Sequence, residues 1–276
     1  MSDYQKLLDF ARYLSQEAAS LIMPHYYNCV AEFKPDGSEV TEADRSAERR
    51  MRELIHTNYP EHRVLGEEYG STGPEHGSFQ WVLDPVDGTH WLPLGVPTFG
   101  TLIGLLKNNQ PILGVIAFPA MREVVYAVRG SGCFYASEQS EAARVSVKRV
   151  KTLAEAYCSA SGPHNSEIKP GRAGIQVNLG EYIRSAGQFR FIGDCLQHAL
   201  VCRGRLQAAL DVVMKPWDIA ALIPCIEEAG GKATSLSKWA PDVVFGGCLL
   251  STCGGSLHQE ILAALMKNRG DLPDKN

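Results

Sequence analysis

Apolar residues recur at helical spacing near the start of the chain. Leu7, Leu8, Ala11, Leu14, Ala18, Leu21 and Ile22 fall on one face of an amphipathic helix predicted over residues 4–27. Thr41 predicts a second helix start, because Asp44 three residues later makes a variant of the capping box. Ala47, Met51, Leu54 and Ile55 would line its buried face. The period then shortens. Val64-Leu65 reads as a short strand ending at Gly66-Glu67-Glu68, a looser Gly-, Ser- and Pro-rich stretch covers 70–78, and 79–83 reads as a buried strand that stops at Asp84-Pro85-Val86-Asp87-Gly88-Thr89. Residues 99–106 and 112–118, joined by Lys107-Asn108-Asn109-Gln110, predict neighbouring strands, and 124–128 and 132–135 extend the same sheet.

The polar stretch 138–151, with a strand-like Val145-Ser146-Val147, divides a single unit into an N-terminal half, 1–145, and a C-terminal half, 146–276. The second half predicts strands over 157–161 and 206–212 and helices over 194–203, 218–229 and 257–266. Gly230-Gly231 caps the middle helix. Residues 164–186 mix helical and loop features, and 271–276 form a polar tail. Helices and strands interleaved in runs predict a layered sandwich of helices and sheets.

Composition narrows the function by exclusion. A net charge of −4 shows no global basic character for nucleic acid or an anionic membrane, so an anionic ligand would need local help from metal ions or a helix N-terminus. No apolar run approaches the roughly 18 residues of a membrane helix, and residues 1–9 lack the apolar core of a signal peptide. The eight cysteines are scattered, with no C-x-x-C pair and no zinc spacing, and read as buried free thiols. These features predict a cytoplasmic protein.

Acids stand where elements end: Glu42 and Asp44, Glu67-Glu68, Asp84 and Asp87, and Asp218 after Trp217. Each alone has a structural explanation. Asp-x-x-Asp-Gly is commonly a turn, Glu67-Glu68 a solvated pair, Asp218 a helix cap and Asp44 a first-turn acid favoured by the helix dipole. Together they match what hard divalent ions such as magnesium require, several carboxylate oxygens plus water and substrate phosphate. Two ions roughly 4 Å apart suit phosphate ester hydrolysis. Gly88 and Thr89 offer N–H groups for phosphate oxygens, and the Thr89 hydroxyl can orient water. An aspartyl-phosphate mechanism would need Asp-x-Asp at a strand end, whereas the spacing here is Asp-x-x-Asp. A non-catalytic binding scaffold would be expected to have lost one of Glu67, Asp84, Asp87, Asp218 or Thr89, and all five are present.

Taken together, the chain resembles the inositol monophosphatase superfamily. Trp81-Val82-Leu83-Asp84-Pro85-Val86-Asp87-Gly88-Thr89 looks like its first signature. Lys215-Pro216-Trp217-Asp218-Ile219-Ala220-Ala221, with Glu227-Glu228-Ala229-Gly230-Gly231, looks like its second. The run from Lys34 to Arg45, Gly193-Asp194-Cys195 and Pro216 to Pro224 most resemble the histidinol-phosphatase branch. The resemblance implies an α+β fold, a five-layer α/β/α/β/α sandwich of the inositol monophosphatase/fructose-1,6-bisphosphatase type. It implies two or three magnesium ions, replaceable by manganese. Glu67, Asp84 and the Val86 carbonyl would hold one, Asp84, Asp87 and Asp218 a second, and a third would bind loosely near Glu67.

By the same resemblance, the Gly88 and Thr89 amides hold the phosphate. The Thr89 hydroxyl, bonded to Asp44, helps activate water for in-line attack. Asp194, Cys195 and Asp211 fall at the alcohol end. The implied substrate is a small phosphate monoester, L-histidinol phosphate first, with inositol-1-phosphate or a sugar phosphate as the alternative. Lithium sensitivity and a homodimer are further implications. The chain departs from the pattern at His90, Trp91 and Leu92 after Thr89, and at Leu196-Gln197-His198, where the branch commonly carries tyrosines. His90 is either a phosphate contact or an exposed loop residue.

Overall fold

The computed structural model describes residues 3–35, 37–171, 175–237 and 242–267. Asp36 and the tail 271–276 lie outside them. The helices are α1 (Asp3–Ile22), α2 (Glu42–Asn58), the single turn α3 (Trp91–Leu94), α4 (Leu179–Ser185), α5 (Asp194–Cys202), α6 (Pro216–Ala220), α7 (Leu222–Glu228) and α8 (Gly255–Met266). Eight strands form one sheet in the order 140–145, 132–137, 123–128, 110–118, 100–107, 79–87, 63–66, 70–72. Five strands form a second, in the order 188–191, 157–160, 208–211, 249–252, 232–234.

Five layers result, an α+β sandwich. The buried face of α1, from Leu7 to Ile22, and α2 residues Ala47, Met51 and Ile55 pack on one face of the large sheet through Trp81, Leu83, Ile103 and Val115. Val82, Leu102, Ile116 and Phe118 point to the other face and meet α5, α6 and α7. Each fully buried Leu, Ile or Val contributes about 1.5–3 kcal/mol. Burial of both sheet faces explains why these strands read as continuous apolar runs rather than alternating ones. The small sheet lies beyond the middle helices, and its far face carries α4 and α8 around Tyr182, Leu257 and Ile261. A Cβ at Gly114 would lie 1.9 Å from the Ala221 carbonyl oxygen, so the α6–α7 junction sits directly on the large sheet. No helix among the described residues is long and apolar enough to cross a membrane.

Several elements differ from their sequence expectation. The strand expected to stop before Asp84 runs to Asp87, because an irregularity between Asp84 and Asp87 lets pairing with the 100–107 strand continue. The looser stretch contains a short strand, Gly70–Thr72, returning on Arg63–Gly66. The helix expected over 218–229 is two helices. Pro224 has no N–H to give back along the chain, and it is accommodated in the first turn of α7. Only Leu179–Ser185 is α-helical among the described residues of 164–186. The strands 188–191, 232–234 and 249–252 had no expectation attached, being short and completed only by tertiary pairing.

Candidate active site

The acids are gathered by strand register. Strands 63–66 and 79–87 run parallel, with Gly66 opposite Leu83. The Glu67 N–H then donates to the Leu83 carbonyl at 3.2 Å, which places Glu67 beside Asp84. In a regular strand Asp84 and Asp87, three apart, would face opposite sides. The irregularity after Asp84 re-aims the chain, and Asp84, Asp87 and Asp218 each bring one carboxylate oxygen within 4.8 Å of the others. Thr101 Oγ1 donates to the Pro85 carbonyl at 2.8 Å and fixes that bend. Asp218 arrives on α6, where the Lys215 N–H donates to its Oδ2 at 2.7 Å. The Cys195 N–H, at the start of α5, donates to Asp87 Oδ2 at 2.6 Å.

Thr41 and Asp44 form the expected cap of α2. The Ala43 N–H donates to Thr41 Oγ1, while Asp44 Oδ2 accepts from the Thr41 N–H at 2.8 Å and hydroxyl at 2.6 Å. Asp44 Oδ1 remains for Thr89, whose Oγ1 lies 3.1 Å away and 2.9 Å from the Val86 carbonyl. The turn after Asp87 closes with Trp91 N–H donating to Gly88 O and Leu92 N–H to Thr89 O. The earlier amides are therefore left unused by the turn itself.

This arrangement is electrostatically unfavourable without a cation. Burial, then Glu67, Asp87 and Asp218, push the Asp84 carboxyl well above the carboxylate range. Burial, then Asp194 and Asp218, do the same to Asp87. Asp218 is pushed up to about 7, chiefly by burial. Asp84 is fully buried, and its Oδ1 has no hydrogen-bond partner among the described residues. An orphaned buried carboxylate oxygen among like charges fits a divalent cation, which supplies the missing partner and the opposing charge.

A cavity of about 580 Å³ opens above the cluster and is lined by Glu67, Asp84, Asp87, Thr89, Asp194 and Asp218, among others. His90 also lines it and is half exposed.

A model of the inositol monophosphatase family matches residues 3–270. The chain belongs to the inositol monophosphatase family. Family members are phosphatases, and so is this chain. It is 35% identical over 228 residues to a histidinol-phosphatase of Chlorobaculum parvum, covering 81% of this chain and 83% of the relative. It is 32% identical over 228 residues to an inositol-1-monophosphatase of Caulobacter vibrioides, covering 82% and 86%. The solved structure of a Zymomonas mobilis inositol monophosphatase superposes with a TM-score of 0.78 at 27% identity, covering 96% of this chain and 99% of that one.

In this family phosphatase the structure brings together Asp44, Glu67, Asp84, Val86, Asp87, Gly88, Thr89, Asp194 and Asp218. It does not bring the Cys195 thiol to the cavity. That side chain is buried against Gly100, where a Cβ would lie 2.4 Å from Sγ, and the Cys195 amide donates to Asp87 beneath the cavity. Asp211 stands back from the cavity lining, accepting from the Val213 N–H at 3.1 Å, and burial pushes its carboxyl up to about 7. The Leu196-Gln197-His198 departure faces inward. Gln197 accepts from the Ser159 hydroxyl, and fully buried His198 pairs with Ser251.

Several participants carried no sequence signal. Lys34, read as part of a turn, places Nζ 2.9 Å from Glu67 and 2.7 Å from Glu68. Fully buried Glu48 accepts from the Glu68 and Tyr69 N–H groups and so holds the acid turn. His164 reaches the cavity from the second half. Each depends on contacts across the fold that no local spacing encodes.

Proposed function

We propose that this phosphatase is a magnesium-dependent phosphomonoesterase whose substrate is L-histidinol phosphate. The observation that carries the reading is the convergence of Asp84, Asp87 and Asp218 within 4.8 Å beneath the Gly88-Thr89 turn. Glu67, Asp84 and the Val86 carbonyl would hold one magnesium ion, and Asp84, Asp87 and Asp218 another. Bound there, the ions would neutralise phosphate charge and make water a stronger acid.

The protein's own residues do the rest. The Gly88 and Thr89 amides, free of the turn's hydrogen bonds, point the phosphate. Thr89 Oγ, donating toward Asp44, accepts a hydrogen bond from the attacking water. Asp44, held by Thr41, keeps that hydroxyl oriented. Water oxygen bonds to phosphorus, the ester P–O bond breaks in line, and the leaving alcohol takes up a proton.

The substrate reading is supported by the histidinol-phosphatase relative and by Asp194 on the cavity wall, where an acid suits a protonated amine. The inositol-1-monophosphatase relative favours inositol-1-phosphate as the second reading. Phosphate release from histidinol phosphate, inositol-1-phosphate, fructose-1,6-bisphosphate and 3′-phosphoadenosine 5′-phosphate, with and without magnesium, tests both. Magnesium-dependent release with preference for histidinol phosphate is expected. Preference for inositol-1-phosphate would leave the chemistry and replace the substrate, and no release from any ester would overturn the enzymatic reading.

A further inference from the structure

Two residues beyond Thr89 stands Trp91, the first residue of α3. Its indole Nε1 donates to Asp194 Oδ2 at 2.5 Å, across 103 positions of sequence. The His90 ring lies 4.5 Å from the indole, and its Nε2 is 3.9 Å from the same carboxylate oxygen. Asp194 opens α5 with φ of 56°, a left-handed backbone that few side chains other than Asn and Asp tolerate. Gly88, with φ of 78°, completes the junction. A Cβ there would lie 2.8 Å from Trp91 Cδ1 and 2.9 Å from Asp194 Oδ2. The phosphate turn, the indole and the carboxylate therefore form one close contact, and the next amide along α5 is the one that holds Asp87.

Asp194 is one-fifth exposed and lines the cavity, so its charge is felt by whatever alcohol the phosphate carries. A carboxylate anchored by a single N–H loses its freedom to swing toward solvent. Such anchoring raises its value in recognition, because the ordering cost is met before the ligand arrives. The same fixed charge repels alcohols that bear a second phosphate.

We infer that Trp91 is a specificity-determining positioning residue: its indole N–H fixes the Asp194 carboxylate at the cavity wall, which selects phosphate esters of alcohols carrying a protonated amine. The inference rests on the substrate reading proposed above. It concerns a residue at which this chain departs from the family pattern, and it assigns that departure a task.

Trp91→Phe keeps a ring against Gly88 and removes the donor. In the magnesium-loaded full-length protein, kcat/KM for histidinol phosphate is expected to fall about 10-fold, mostly through KM, as for a lost hydrogen bond to a charged group. The value for inositol-1-phosphate should change no more than about 2-fold. Free L-histidinol, as a product inhibitor, should bind about 10-fold more weakly to the variant. Asp194→Asn keeps an acceptor for the indole but removes the charge, and the same loss of selectivity is expected. Should Trp91→Phe not fold, Trp91→Leu, which also lacks the donor, carries the same test. Equal losses on both esters, with unchanged histidinol inhibition, overturn the role of Trp91 and leave the substrate reading intact. A wild-type enzyme without preference for the cationic ester overturns the substrate reading, and this inference with it.

Discussion

Asp84 concentrates the chemistry of the site in one side chain. It is fully buried, has an oxygen with no hydrogen-bond partner among the described residues, and faces Glu67, Asp87 and Asp218. Such a residue weakens the fold unless a cation answers it, since an uncompensated buried charge is strongly unfavourable. Asp84→Asn therefore separates function from stability. Turnover should fall by at least about 100-fold, the upper range for damage to the groups that support a metal. The thermal midpoint of the metal-free protein should rise, because one of the mutually repelling charges is gone. Phosphate release and a melting curve in chelator measure the two effects. Near-native turnover would remove Asp84 from the metal site, and a lowered midpoint would mean that the carboxylate is already compensated by protein groups.

At the scale of elements, the site depends on how α2 and two strand ends are locked together. The buried Glu48 of α2 pairs with Arg52 at 2.7 Å and accepts from the Glu68 and Tyr69 N–H groups. Arg52 in turn donates to the Gly70 carbonyl and to Thr72 Oγ1. One ion pair thus ties the helix to the acid turn and to the short strand beyond it. Glu48→Ala leaves a buried guanidinium unpaired and two turn amides without acceptors. A loss of about 3–5 kcal/mol in urea unfolding is expected, together with weaker magnesium activation as Glu67 loosens. A loss below about 1 kcal/mol would show the pair behaving like a surface salt bridge.

For the whole molecule, three of the five layers meet at the acids. The large sheet contributes Asp84 and Asp87, the middle helices Asp218 and Asp194, and the outer helix α2 Asp44. A ligand that binds this junction holds layers together and should stabilise the entire fold. Magnesium at about 100 times its dissociation constant is expected to add about 2.7 kcal/mol, a rise of about 5–10 °C in the thermal midpoint. Chelator should reverse it. A midpoint indifferent to magnesium would mean that the cluster holds no ion in the folded protein.

The sequence by itself determined the local grammar. Apolar periodicity in 4–22 and 41–55, the Thr41–Asp44 cap, and acids placed at element ends were all legible, because each is decided within a few residues by backbone geometry and side-chain chemistry, whereas the first helix, expected to reach residue 27, ends at Ile22 before a 3-10 turn holding Pro24. The signatures around Asp84 and Asp218 also carried the fold class. What the tertiary structure alone decided is which groups meet. Parallel register set Glu67 beside Asp84, and an irregular strand turned Asp87 to the same side. The buried side of α5 drew the Cys195 thiol and Gln197-His198 away from the cavity. Lys34 found Glu67 and Glu68, and Trp91 found Asp194, over separations of 33 to 103 positions. Local spacing cannot encode such contacts, because they arise from how whole layers stack and from the burial of both faces of a sheet.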